Sequence, residues 1–309
     1  MTSHICIDVG GTSTTVGIII NHQVVWSLSL KTESGINEFP IFFKDMIVNA
    51  QNEADRQSIQ YSQTVIASLP GNFTPGDNIT IKPGSARQLI KPMEDYNDLD
   101  FSKWLTQHLD SKIKVWGIND GASQAVGGMC QNWQRCKGKL ILYIGPGTGL
   151  GGAVIQTGIE PHDMEFISDG HIYDIMIDDN QMAEDAISGQ AVHKKCNHSA
   201  KAINMNQDLW DRYKTDIQLM ANAIVQLINT MTSGSFTKKT TLNNWSKKDQ
   251  QKMKGINVIL LGGSIGTQGR MGALIKETLE QHVSIPIIQI DQPNIRALEG
   301  AKIKFEQSI

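Results

Sequence analysis

The stretch IDVGGTSTTVGI, residues 7–18, decides how this chain folds. Its β-branched residues on either side of a Gly-Gly pair predict two strands joined by a tight turn. The backbone amides of such a turn can bind phosphate oxygens, and a carboxylate at the end of the first strand, Asp8, can hold Mg²⁺. An ordinary β-hairpin with a structural aspartate is the alternative interpretation.

A second stretch of the same form, KLILYIGPGTGLGGAVIQTG, occupies residues 139–158. Gly149 and Gly151 allow a phosphate to approach the backbone closely, and Thr148 adds a hydroxyl group. The spacing of Gly147, Gly149 and Gly152 also matches the dinucleotide-binding motif GxGxxG, but that motif must open a helix. Here AVIQTG continues as a strand, and the chain has no GxxxxGK[ST] motif either.

A third apolar strand, NVILLGGSIG at residues 257–266, enters a glycine turn at Gly262 and Gly263. Three units of strand and glycine turn predict an α/β protein with an internal repeat. The pattern also predicts strands at 24–30, 64–71, 113–118 and 286–290 and helices at 36–56, 100–109, 183–195, 206–232, 267–282 and 293–306.

The bulk properties favour a soluble globular protein with two domains or two lobes. The 309 residues exceed what one core usually serves. A net charge of -3 gives no sign of a nucleic-acid partner, and no run approaches the roughly 20 apolar residues of a membrane span. The first residues lack the pattern of a signal peptide, so we expect a cytoplasmic protein with reduced cysteines and no membrane partner.

Asn119 and Asp120 follow the apolar segment KVWGI and precede the small residues GASQAVGG. A carboxylate at a strand end can accept the proton of an attacking hydroxyl, and the neighbouring amide can hold an adjacent hydroxyl. Because Asn and Asp are also favoured at helix N-caps, a purely structural role is the alternative.

The motifs DVGGT, SLPG, NDGAS, GPGTGLGG, DGH, EDAISG and LLGGS occur in this order. The set resembles the ROK family of sugar kinases and their bacterial glucokinase relatives, within the hexokinase and actin-like ATPase superfamily, over residues 4–305. The resemblance implies an α/β, two-lobed actin-like ATPase (ribonuclease H-like) fold with a central interlobe cleft. One lobe would comprise residues 1–118 with the terminal helix 293–309, and the other residues 119–292.

The resemblance also implies roles for individual residues. Asp120 matches the catalytic base and Asp8 the acid associated with Mg²⁺. The residues that match phosphate or nucleotide contacts are Gly10, Gly11, Thr12, Gly147, Thr148, Gly149, Gly262 and Gly263. Those that match sugar contacts are Gly71, Asn119, Asp120, His171 and Glu184.

Two departures from the family pattern concern sugar and metal. Family members have a sugar-binding glutamate three residues before the histidine of the Gly-His pair, where this chain has Ser168, so Glu165 or Asp169 is the expected substitute. Many members also have a zinc-binding cysteine motif, but residues 175–184 contain no cysteine, so we expect no structural zinc. The donors His193, Cys196 and His198 are interpreted as surface residues.

The resemblance therefore predicts an ATP- and Mg²⁺-dependent kinase that phosphorylates a hexose, glucose first, at the 6-hydroxyl, as a homodimer in glycolytic carbohydrate metabolism. An N-acetylhexosamine such as N-acetylmannosamine is the alternative substrate. ROK repressors have an N-terminal helix-turn-helix domain, and this chain starts its first predicted strand at residue 4. A sugar-binding protein without catalysis is the remaining alternative. The lysine-containing residues 233–255 are interpreted as a solvated surface excursion.

Overall fold

A computed structural model describes residues 3–33, 35–81, 100–161, 163–168, 170–238 and 245–309. The chain divides into two compact units. Unit 1 comprises Met1–Gly127 with Asn294–Ile309, and unit 2 comprises Gly128–Pro293.

Unit 1 is built on a five-stranded sheet of order β3-β2-β1-β4-β5. Its strands are β1 His4–Val9, β2 Ser13–Ile20, β3 Gln23–Lys31, β4 Thr64–Leu69 and β5 Lys114–Asn119. The first three strands are antiparallel neighbours, whereas β4 runs parallel to both β1 and β5. The parallel strands are almost fully buried, as their continuous apolar runs require.

In the described part of unit 1, four helices accompany this sheet: α1 Glu38–Arg56, α2 Phe101–Thr106, α3 Asp120–Gln131 and α12 Pro293–Glu306. The last of these joins unit 1 through close backbone contacts. A Cβ at Gly127 would lie 2.0 Å from Arg296 O, and one at Gly300 would lie 1.9 Å from Ser123 O. Glycine at both positions therefore lets α12 pack directly on α3.

Unit 2 repeats the topology of unit 1. Its sheet has the order β10-β9-β6-β7-β8, with β6 antiparallel to β7, β7 antiparallel to β8, and β9 parallel to both β6 and β10. The strands are β6 Leu140–Pro146, β7 Leu150–Thr157, β8 Met164–Ser168, β9 Ile256–Leu261 and β10 Ile287–Gln289. The internal repeat predicted from the glycine turns is thus confirmed.

The helices of unit 2 are α4 Trp133–Cys136, α5 Ala183–Ile187, α6 Gly189–Cys196, α7 Ala200–Met205, α8 Gln207–Thr232, α9 Lys247–Lys252, α10 Gly263–Thr267 and α11 Gly269–His282. The long α8 presents an apolar face to the core of unit 2, and Ile224, Leu227 and Met231 are fully buried there.

The structure corrects three details of the sequence prediction. The single helix predicted at 183–195 is two helices separated at Ser188, whose hydroxyl caps α6 by accepting from Ala191 N. Strand β8 was not predicted, and α9 lies inside the predicted surface excursion. No disulfide joins the four cysteines, and among the described residues no helix is long and apolar enough to cross a membrane.

Candidate active site

The glycine turn of unit 1 lies between β1 and β2. Gly10 N donates to Ser13 O at 3.0 Å and closes the turn, and the hydroxyl of Thr32 donates to Gly10 O at 2.7 Å. A Cβ at position 10 would lie 2.8 Å from Ser13 O, so the turn needs glycine there. Gly11 is half-buried and Thr12 is exposed, which leaves the tip of the turn accessible to a ligand.

Two buried serines connect Asp8 to Asp120. Ser68 Oγ lies 2.6 Å from Asp8 Oδ1 and 2.8 Å from Ser123 Oγ. Ser123 Oγ donates to the backbone carbonyl of Asp120 at 2.8 Å. The sheet explains this arrangement, because β1 and β4 are parallel and pair Asp8 with Ser68. Two acidic residues far apart in sequence therefore share one hydrogen-bonded chain.

Both carboxyl groups have raised pKa values. Burial raises the pKa of Asp8 to about 8. The hydrogen bond from Ser68 lowers this pKa, and the negative charge of Asp120 raises it. Burial also raises the pKa of Asp120 to about 6, although Gly121 N donates to its Oδ1 at 2.8 Å. At neutral pH Asp120 is therefore mostly ionised yet more basic than an ordinary aspartate, as a general base should be.

Asn119 uses its side-chain amide to hold the backbone. Its Nδ2 donates to Gly71 O at 2.8 Å, and its Oδ1 accepts from Ala122 N at 3.1 Å, as an N-cap does. Gly71 has a φ of 109°, a conformation that favours glycine. The amide thus ties the turn after β4 to the helix that begins at Asp120.

The glycine turn of unit 2 joins β6 to β7. Gly147 N donates to Gly149 O at 2.8 Å within the turn. The N-terminus of α6 holds it from outside, because Gly189 N donates to Gly147 O at 2.8 Å and Gln190 N donates to Thr148 O at 3.2 Å. A Cβ at Gly189 would lie only 2.8 Å from Gly147 O, so this approach requires glycine.

The turn after β9 packs against the same segment. Gly263 has a φ of 67°, and a Cβ there would lie 2.3 Å from Pro146 O. Gly262 N donates to Ile144 O at 2.8 Å, and a Cβ at Gly262 would lie 2.4 Å from the buried ring of Tyr143. The two glycine turns of unit 2 therefore form one packed group.

The predicted sugar-contacting residues His171 and Glu184 belong to the same unit. Glu184 Oε1 accepts from Leu150 N at 3.3 Å, at the exit of the glycine turn. His171 is buried, its ring makes a T-shaped contact with Tyr173 at a centroid distance of 6.4 Å, and its carbonyl accepts from Trp245 Nε1 at 3.4 Å. The structure thus fixes both the side chain of Glu184 and the backbone of His171.

Ser168 and Glu165 differ sharply in their surroundings. Ser168 ends β8 opposite Val154, is 8% exposed, and its Oγ has no hydrogen-bond partner in the described part of the chain. The side chain of Glu165 is 70% exposed and lies 4.0 Å from Lys252 Nζ. Asp169 lies outside the described residues. Of Ser168 and Glu165, Ser168 is therefore the one with a buried, unsatisfied polar group.

Sequence reasoning missed several residues that hold the site together. Ser68 and Ser123 stand inside the quoted motifs SLPG and NDGAS but received no role, and Thr32 had no motif to indicate it. Gly189, in EDAISG, was likewise not assigned. Within the described ranges no three His, Cys, Asp or Glu side chains are grouped as a metal centre.

No protein-family model and no curated protein matches the sequence. Solved structures match over almost the whole chain. A proposed N-acetylmannosamine kinase from Listeria monocytogenes is 15% identical, with a TM-score of 0.67 and 99% of both chains covered. A ROK-family glucokinase from Streptomyces griseus, solved with glucose and AMPPNP, is 13% identical, with a TM-score of 0.63 and 97% of both chains covered.

A ROK-family transcriptional regulator, a homologue of the E. coli MLC protein, is also similar. It is 13% identical, with a TM-score of 0.58, and the match covers 99% of this chain and 80% of the regulator. Kinases and a regulator thus share one architecture with this chain. The chain has the mixed α/β fold of the ROK-family sugar kinases.

Proposed function

We propose that this protein is an ATP-dependent sugar kinase that transfers the γ-phosphoryl group of Mg-ATP to a hexose hydroxyl. The observation that carries the proposal is the buried Asp120, because burial raises the pKa of its carboxyl group to about 6 and its backbone carbonyl is linked through Ser123 and Ser68 to Asp8. A structural N-cap needs no such linkage, and Asn119 already caps α3.

In the proposed reaction Asp120 accepts the proton of the sugar hydroxyl. As the hydroxyl oxygen bonds to phosphorus, the bond between phosphorus and the bridging β–γ oxygen breaks, and the proton stays on Asp120 until the product leaves. Positioning and charge stabilisation account for most of the catalysis in phosphoryl transfer. A general base contributes about 10²- to 10⁴-fold to the rate.

The glycine turns would bind the nucleotide in the roles that the sequence resemblance implies. The tip of the first turn, at Gly11 and Thr12, offers accessible groups for phosphate oxygens. The turn at Gly147–Gly149 is held by the N-terminus of α6, so its shape is set before a ligand arrives. Gly262 and Gly263 would lie beneath the adenosine.

Asp8 fits a role in holding Mg²⁺. Its carboxyl group and the neighbouring hydroxyl of Ser68 are hard oxygen donors, the type that Mg²⁺ prefers. Mg²⁺ commonly uses one or two protein carboxylates together with phosphates and waters. Burial and the charge of Asp120 disfavour the ionised form of Asp8. A bound cation would favour that ionised form and so offset both effects. When bound, Mg²⁺ neutralises charge that develops on the phosphate oxygens.

The resemblance to the ROK-family sugar kinases supports further proposals about the lobes, the location, the oligomeric state and the substrate. We propose that the two units, Met1–Gly127 with Asn294–Ile309 and Gly128–Pro293, act as the lobes of an actin-like ATPase. On the same resemblance, we propose that the protein is a cytoplasmic homodimer and that it phosphorylates glucose at the 6-hydroxyl. The Listeria neighbour favours N-acetylmannosamine as the alternative substrate.

A coupled assay of ADP release tests the proposal against a panel of glucose, mannose, N-acetylglucosamine and N-acetylmannosamine. Sugar-dependent ADP release should require Mg²⁺, stop with EDTA and be restored by added Mg²⁺. It should be unaffected by a zinc-selective chelator. Sugar binding by calorimetry without ADP release from any sugar would overturn the kinase and favour the second candidate, a sugar-binding regulator of the kind represented among the structural neighbours.

A further inference from the structure

Residues 233–255 are more than a solvated excursion, because their first part is fastened to the loop that follows β8. Met176 N donates to Thr237 O at 3.0 Å, and Ile175 pairs with Lys238 in an antiparallel bridge. Phe236 is 8% exposed and belongs to the core of unit 2. The backbone leaving α8 thus forms a short strand against residues 175–176.

A buried ion pair reinforces this attachment. Lys238 Nζ lies 3.0 Å from Asp174 Oδ1, and the two side chains are 9% and 0% exposed. A fully buried carboxylate is costly unless it is paired, and removing one partner of such a pair strands the other charge in the interior. Lys238 is therefore needed wherever Asp174 keeps its present position.

Trp245 fastens a second point of the same excursion. Its ring meets Phe236 in a T-shaped contact at a centroid distance of 5.2 Å, and its Nε1 donates to His171 O at 3.4 Å. We use the term clasp for the three residues Phe236, Lys238 and Trp245. The clasp contacts the loop at two points, His171 and Asp174.

The loop held by the clasp also anchors Glu184, which lies in the first turn of α5. Glu184 N donates to Tyr173 O at 2.9 Å, and Ala183 N donates to Ile175 O at 2.8 Å. These two carbonyls belong to the residues on either side of Asp174. The ion pair is therefore centred between the anchor of His171 and the anchor of Glu184.

We propose that Lys238 and Asp174 are positioning residues for the sugar site, acting through the loop that carries His171 and anchors Glu184 at the start of α5. The proposal rests on the proposed function, because His171 and Glu184 are the residues expected to contact the sugar. The clasp sets where these two residues lie before the sugar binds, and so determines affinity for the sugar rather than for the nucleotide.

Hydrogen exchange tests the clasp without any substrate. In Lys238→Met, the amides of residues 171–176 and 183–184 should exchange about ten-fold faster or more than in the wild type, because their anchoring bonds open more often. Lys252→Met is the matched control, since Lys252 lies in the same excursion but makes only partly exposed ion pairs with Glu165 and Asp249. Equal exchange in the wild type and Lys238→Met would overturn the clasp.

Kinetics then test positioning against a merely structural role. Lys238→Met should raise the KM for the sugar about ten-fold while the KM for ATP changes less than two-fold, because the loop and not the glycine turns has moved. Lys238→Arg, which keeps the charge, should restore most of the sugar KM. A lower Tm with both KM values unchanged would mean that the pair only stabilises the fold, and would overturn the proposal.

Trp245→Phe provides a second variant if Lys238→Met does not fold. It keeps the ring contact with Phe236 and removes only the hydrogen bond to His171 O, so the sugar KM should rise with little change in Tm. Failure of the proposed function is recognised separately. A wild-type protein that releases no ADP with any sugar refutes the kinase, and the exchange experiment still decides whether the clasp holds the loop.

Discussion

Ser68 Oγ donates to Asp8 Oδ1 at 2.6 Å, in a chain of hydrogen bonds within unit 1. The chain continues from Ser68 to Ser123, and Ser123 donates to the backbone carbonyl of Asp120. The bond from Ser68 favours the ionised carboxyl group of Asp8 and so lowers its pKa. Burial outweighs this effect and raises the pKa of Asp8 to about 8.

The raised pKa of Asp8 predicts how stability depends on pH. Between the unfolded pKa of 3.8 and the folded pKa of about 8, the native state retains a proton on Asp8 that the unfolded state has lost. Without Mg²⁺, the free energy of unfolding should therefore fall as pH rises, by up to about 1.4 kcal/mol per pH unit. The contribution is fully present below pH 4 and is lost above pH 8.

Guanidinium unfolding at pH 6, 7 and 8 measures this slope for Asp8, because the pKa of Asp120 is already passed at about 6. Asp8→Asn should remove the slope in this range, whereas Asp45→Asn, on the exposed face of α1, should leave it unchanged. Parallel pH dependence in the wild type and Asp8→Asn would show that Asp8 is ionised in the native state.

Asp120→Asn should abolish phosphoryl transfer while sugar binding survives. The amide keeps the shape of the side chain but cannot accept a proton, so kcat should fall about 10²- to 10⁴-fold. Asp110→Asn, in a loop away from the strand ends, is the control for a general effect of removing a carboxylate. A variant that retains half of the wild-type kcat would exclude Asp120 as the base.

The acid limb of the wild-type pH profile provides an independent check on Asp120. Because the base must be ionised, kcat/KM for the sugar should decline as pH falls through about 6, the raised pKa of Asp120. A decline centred near pH 4 would mean that an ordinary, exposed carboxylate controls the rate.

Gly189→Ala should weaken nucleotide binding. The added Cβ would lie 2.8 Å from Gly147 O, so either the turn or α6 must move. A misplacement of about 1 Å at a phosphate-binding turn costs up to roughly 100-fold in activity, and we expect the KM for ATP to rise at least ten-fold. Gly255→Ala, where the nearest atom to a new Cβ is 3.9 Å away, should behave as the wild type.

Ser168 and Glu165 offer a test of sugar specificity. Because Ser168 is buried with an unsatisfied hydroxyl, Ser168→Glu should alter the sugar profile, tightening glucose if position 168 faces the sugar. Glu165→Ala should change nothing, because its side chain is mostly exposed. Loss of all sugar binding in both variants would instead assign the sugar contact to Glu165.

The sequence predicted those parts of the fold that depend on neighbouring residues. Strand β1 was predicted with its observed limits, His4 to Val9, because an apolar run and a glycine turn mark it locally. The break at Ser188 escaped prediction because it is set by the contact between Gly189 and Gly147, which are distant in sequence. Strand β8 was missed because its residues are half-buried and show no clean alternation.

In the candidate site, too, local patterns were predictable from the sequence and contacts between distant residues were not. Asp8, Asp120 and the glycine turns stand in recognisable motifs, so sequence alone identified them. Their connection through Ser68 and Ser123 depends on which strands are neighbours in the sheet, and the order β1-β4-β5 is not written in any local pattern. Likewise, only the tertiary structure pairs Asp174 with Lys238, because each is an unremarkable charged residue in the sequence.

The place of α12 in unit 1 has a consequence for how the chain folds during synthesis. Unit 2 is continuous in sequence, whereas unit 1 needs residues 294–309, which the ribosome makes after all of unit 2. Residues 1–127 therefore cannot complete the core of unit 1 when they are synthesised. The surface of Gly17 that contacts Leu298, and the surface of Gly127 that contacts Arg296, are still uncovered at that stage. Unit 2 therefore completes its core first, and unit 1, which contains Asp120, is complete only when α12 has been synthesised.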